Sequence, residues 1–83
     1  NLLSHGNFNV KKSEAIKEFY TLFGVPNELI IDRVVSFSNN KRDTLLLVYV
    51  KNDKNKLNAK QVEQIKKWLL VKFEMEKVKL LHE

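Results

Sequence analysis

"ELIIDRVVSFSNNKRDTLLLVYV", residues 28–50, is the stretch on which the fold turns. Its first part is rich in β-branched residues and long enough for a strand. A period of two puts Leu29, Ile31, Val35 and Phe37 on one side, with Arg33 among them. Ile30, Asp32, Val34 and Ser36 take the other side. "SNNKRD" reads as a turn, since Asn39 and Asn40 tolerate positive φ. "TLLLVYV" is apolar on both sides, which predicts a central strand rather than an edge. A short polar link between the two runs predicts an antiparallel hairpin.

Upstream, "SEAIKEFYTLFG" has a helical period. Ser13 is a suitable N-cap, with Glu14 in the favourable first turn. Ile16, Phe19, Tyr20 and Phe23 form one apolar stripe. Gly24 suits the left-handed position after a helix, and Pro26 blocks continuation. Residues 1–12 show no sustained period and read as a flexible lead-in.

Downstream, Asn58 and Gln61 form a capping box, and Leu57 and Val62 a hydrophobic staple. The helix they begin runs through "AKQVEQIKKWLLVKF", with Val62, Ile65, Leu69 and Phe73 as its core stripe and Trp68 beside it. In the last segment Val78 and Leu80 alternate with lysines, which favours a third strand over a longer helix. A crossover from the second strand through the long helix lays that strand parallel to the second. The expected fold is α+β: a two-layer sandwich of order α-β-β-α-β, with a three-stranded sheet and two helices on one face. The expected organisation is a lead-in over 1–12 and a single domain over 13–83, part of a larger protein.

Composition removes several classes of chemistry. The chain has 83 residues and no cysteine, so it has neither disulfides nor thiolate metal sites. Its two glycines, Gly6 and Gly24, belong to no phosphate-cradling loop. The serines lack a nucleophile elbow. His5 and His82, one near each end, read as solvent-exposed rather than as ligands. No apolar run is long enough to span a membrane, and no secretory signal pattern is present. No cofactor or metal is expected. The net charge is +5. Lysine supplies nearly all of the basic residues and arginine only Arg33 and Arg42. Lysine is a hydrated point charge, whereas arginine is the fork that reads phosphate and base edges, so the excess reads first as solvated surface.

Phe23, Gly24, Pro26, Asp32 and Phe37 lie in a register that resembles the second catalytic carboxylate motif of retroviral-type integrase cores. The resemblance implies a metal-binding role for Asp32 in cutting and joining DNA. The rest of the family pattern is missing. No Asp precedes Asp32, Val34 replaces the glycine after it, and the position of the third carboxylate is Trp68, with Glu63 and Glu74 to either side. A helix end, a turn and a strand account for every matched residue, and Asp32 is expected to be an outer-face carboxylate. The order of elements also resembles the cytosolic C-terminal domain of cation diffusion facilitators. That likeness is of topology alone, because the histidine and acidic ligands of those domains are unmatched.

The expected function is that of a noncatalytic accessory or interaction domain, a C-terminal domain of a larger bacterial protein, with a membrane protein among the candidate parents. It would bind the rest of its parent chain or a second copy of itself, in the cytoplasm or on the cytoplasmic side of a membrane. The alternative is a basic nucleic-acid-binding module; a fragment of an integrase-like or metal-dependent nuclease core is remote. Tyr49, Trp68, Lys41, Arg42, Lys66 and Lys67 are the candidate surface residues. Trp68 is a potential anchor because tryptophan dominates hot spots. Ile30, Val34, Leu45, Leu47 and Tyr49 lie among the residues that a one-sided helix layer would leave needing another cover.

Overall fold

The structure, a computed structural model, describes residues 2–54 and 56–83, with side chains from Phe8 onward. Its order is α1 (Leu2–Phe23), β1 (Glu28–Ser38), β2 (Lys41–Lys51), α2 (Ala59–Phe73) and β3 (Val78–His82). The sheet order is β1-β2-β3. β1 pairs antiparallel to β2, and β3 runs parallel to β2. The α+β fold read from the sequence is therefore the fold observed.

The two long strands meet through Asn39 and Asn40, whose φ angles of 52° and 63° make the tight left-handed turn that suits the twist of a hairpin. Pairing is continuous from Glu28 with Lys51 to Ser38 with Lys41. β2 lies in the middle, as its two-sided apolar character requires. Leu46, Val48 and Val50 are fully buried on one side. They join Ile31 of β1, Leu80 of β3, Ala15 and Phe19 of α1, and Ile65, Leu69 and Phe73 of α2 in a single core. Both helices therefore cover the same face. Among the described residues, no polar or charged residue is buried in that core.

α2 follows its sequence signals closely. The Asn58 side chain accepts from the Gln61 backbone N–H at 2.8 Å, and the Gln61 side chain accepts from the Asn58 N–H at 3.1 Å. At the other end Glu74 takes a left-handed conformation, φ 54°, and Met75 N–H reaches the Leu70 carbonyl at 3.0 Å. That turn breaks the helix and frees the following residues to form β3.

α1 differs from expectation. It begins at Leu2, so Ser13 is a mid-helix residue rather than a cap, and the helix runs through the stretch read as a flexible lead-in. The reason is tertiary. Phe8 lies on the stripe that continues through Ala15, Phe19 and Phe23, and its ring packs 5.5 Å from that of Phe73. Docking of this kind overrides the weak helix propensity of Gly6, Asn7 and Asn9. The side chain of His5 lies outside the described residues. At its C-terminus α1 stops as read: Gly24 has φ +89° and its N–H bonds the Tyr20 carbonyl at 3.1 Å. No atom crowds a Cβ built there, so the backbone angle, not space, demands glycine.

The helices run antiparallel. Trp68 packs against Phe19 and Phe23 with ring centroids 6.5 and 6.1 Å apart. Farther along, Lys72 bonds Glu14 and Glu18, and Lys11 meets Glu74 at 2.8 Å. These ion pairs lie at the surface, with their lysine stems partly covered, and contribute little individually. The aromatic seam beneath them holds the pair together.

Replacing Asn58 by Ala removes half of the capping box and is expected to lower the unfolding free energy by about 1 kcal/mol. Leu69→Ala opens the core itself and is expected to cost about 2–5 kcal/mol. Urea denaturation followed by circular dichroism measures both. An Asn58→Ala variant as stable as the parent would show that the box contributes nothing.

Candidate interaction surface

Among the described residues, no helix covers the side of the sheet opposite the core. Its residues line up in rungs across the strands. Ile30, Tyr49 and Leu81 form one; Asp32, Leu47 and Lys79 the next; Val34 and Leu45 a third. Ile30 is 46% exposed, Leu81 45% and Val34 39%. Leu45, Leu47 and Tyr49 on the central strand are half-buried by their neighbours alone. The result is an apolar surface flanked at its middle rung by Asp32 and Lys79 and bounded by charged residues at both ends, Glu28, Lys51 and Glu83 at one and Asp43 and Lys77 at the other.

The polar groups here have distinct settings. Tyr49 donates its hydroxyl hydrogen to Glu83 Oε2 at 2.5 Å. That bond, with smaller contributions from desolvation and nearby carboxylates, pushes the phenol up to about 12. Lys77 donates to Asp43 Oδ2 at 2.7 Å, and this bond raises the ammonium above its ordinary value. Asp32 Oδ1 accepts from the adjacent Arg33 N–H, at 2.9 Å. Among the described residues neither Asp32 nor Lys79 forms an ion pair.

The candidate residues read from the sequence do not converge on one site. Tyr49 lies at the centre of the open face. Trp68 is on the other side of the sheet, half-buried in the helix seam, where it packs against Phe19 and Phe23 of α1. Lys41 and Arg42 are at the tip of the hairpin, exposed. Lys66 and Lys67 are on α2, where Lys66 lies 3.9 Å from Glu63. Asp32 and the Trp68 position are thus on opposite sides of the sheet and cannot share a metal ion. Among the described residues no group of three or more His, Asp or Glu is placed to hold one.

Arg33 falls on the helix-facing side of β1, an edge strand of the sheet. Its partner is aromatic rather than acidic: the guanidinium sits 4.7 Å from the centroid of the Phe8 ring.

The sequence reading missed Leu81, Lys79 and Glu83 as members of the open face. The signal was the Leu80-Leu81 pair. On a strand the two leucines must point to opposite sides, so one of them had to leave the core.

Residues 12–83 match a family model described as a domain of unknown function, DUF8492. The chain belongs to that family. The matched region takes in all three strands, so the open face lies wholly inside the family's domain. No curated protein and no solved structure matches the chain.

The Tyr49–Glu83 bond has a direct readout. In a Tyr20→Phe variant Tyr49 is the sole tyrosine. Its tyrosinate absorbance is expected to rise with a midpoint near 12, and Glu83→Gln to bring that midpoint back toward 10.0. The folded state favours the protonated phenol, so this contribution to stability is intact below pH 10.0 and is lost as pH climbs through about 12. A midpoint indifferent to Glu83→Gln would mean that the bond is absent in solution.

Proposed function

We propose that this is a noncatalytic interaction domain that binds protein through the uncovered face of its sheet. The observation that carries the reading is the alignment of Ile30, Val34, Leu45, Leu47, Tyr49 and Leu81 on one uncovered side. An exposed contiguous apolar patch with a polar margin is the usual mark of a docking surface. The central Tyr49 adds a rigid aromatic with a polar tip, a residue type favoured at interfaces. The reading includes a place as an accessory unit of a larger bacterial protein, working in the cytoplasm or at the cytoplasmic face of a membrane. No helix of the described residues is long and apolar enough to cross a membrane. The lysine-rich surface would be attracted to anionic lipid there, by about 1 kcal/mol for each lysine near the headgroups.

The basic residues support nucleic-acid binding less well. Lys41, Arg42, Lys66 and Lys67 are spread over the hairpin tip and α2. Tyr49, the aromatic of the open face, is hydrogen-bonded to Glu83, which brings negative charge where a phosphate backbone would run.

A photo-crosslinking amino acid at position 81, in the protein expressed in its own cells, is expected to yield protein adducts under illumination. The same group at position 67 is expected to yield none. Adducts to nucleic acid at both positions, or steeply salt-dependent binding of DNA or RNA at low salt, would overturn the reading.

A further inference from the structure

The open face is complementary to itself in a way that selects both its partner and its orientation. On its central rung Asp32 lies on one side of Leu47 and Lys79 on the other. The strand spacing places them about 10 Å apart across β2, too far to pair within one molecule. Two such faces can be stacked about a two-fold axis lying between them. If the axis runs across the strands, Asp32 meets Asp32 and Lys79 meets Lys79. If it runs along β2 through Leu47, β1 of each molecule lies over β3 of the other. Asp32 then faces Lys79 of the partner subunit, and Lys79 faces the partner's Asp32. On the next rung, Ile30 covers the partner's Leu81, and Tyr49 meets its own copy.

Sheets packed face to face stand about 10 Å apart with their strands turned by about 30°. The four-carbon stem of lysine and the short arm of aspartate close such a gap between them. With the turn of one sheet against the other centred at Leu47, the rung of Asp32 and Lys79 is among those displaced least. The rung with Glu28, Lys51 and Glu83 lies at the end of the face. There the twist opens the gap to water, and its like charges remain solvated.

We propose that a second copy of this chain covers the open face, related by a two-fold axis along β2 at Leu47. Each dimer then holds two Asp32–Lys79 pairs between subunits. The proposal rests on reading the face as a protein-docking surface and names the protein. Only three strands contribute on each side, so the interface belongs to the small class and the dimer is expected to be weak and reversible.

Sedimentation equilibrium over a range of concentrations tests it. The unaltered chain is expected to show a concentration-dependent monomer–dimer equilibrium. Asp32→Lys sets Lys against Lys at both contacts, and Lys79→Asp sets Asp against Asp. Each is expected to weaken dimerisation at least tenfold while leaving the circular dichroism spectrum unchanged, because both side chains are exposed. An equimolar mixture of the two variants is expected to recover the dimer, because every contact in the mixed pair is again between opposite charges. The double variant Asp32→Lys, Lys79→Asp is expected to recover it within one chain. Failure of the mixture to associate when the unaltered chain does would overturn the two-fold arrangement. A strictly monomeric chain whose position-81 crosslinks lead to a different protein would overturn self-association and leave the docking reading standing. A monomer without protein crosslinks would remove both.

Discussion

The central strand governs this domain. From Leu45 to Val50 every residue of β2 is apolar, so the strand presents greasy side chains in both directions. A strand of that kind cannot lie at an edge or against water on either face without loss. The hairpin supplies one neighbour and the α2 crossover supplies the other. The two helices then cover Leu46, Val48 and Val50. Nothing in the chain's described residues performs the same service for Leu45, Leu47 and Tyr49. The asymmetry between a covered and an uncovered side is a direct consequence of one strand's composition.

Much of this was legible in the sequence, and for identifiable reasons. The hairpin, the capping box of α2, the glycine stop after α1 and the parallel third strand each depend on neighbours close along the chain, or on a connection of fixed handedness. The period of two grouped Leu45, Leu47 and Tyr49 on one side, and the covering of only one face by helices made them candidates for the uncovered side. The start of α1 was not legible. Gly6, Asn7 and Asn9 argue locally against a helix, and the contact that rewards one, Phe8 on Phe73, joins opposite ends of the chain. Trp68 was misleading for a related reason. Its place beside the core stripe left it equally fit for a partner or for α1, and only the antiparallel arrangement of the helices brings Phe19 and Phe23 to it. The charged rung was hidden as well, because Asp32 and Lys79 become neighbours of Leu47 only once the register of both strand pairs is fixed.

The resemblance to an integrase motif illustrates how local punctuation imitates a catalytic signature. Phe23, Gly24 and Pro26 end a helix, and Asp32 lies on a strand leading out of that turn. Many folds need such a sequence of events. What a two-metal site requires in addition is convergence of carboxylates from distant segments. In this fold Asp32 points away from the helix layer, where the third carboxylate would have to reside. The topological likeness to the diffusion-facilitator domain stops at the order of elements for a comparable reason, since order alone positions no ligands.

Arg33 has a role that its contact with Phe8 makes clear. β1 leaves one margin of eleven residues without a strand beside it. Such a margin is a template on which extended chains can grow. Midway along it, the first helix pins a guanidinium on the inner side of the sheet. In a fibre of identical strands stacked in register, that cation would face its own copy roughly 4.8 Å away at every layer. The ring of Phe8 restricts its escape. The same contact that extends α1 toward its N-terminus therefore sets a charge at the middle of the long β1 margin, where it works against edge-to-edge growth.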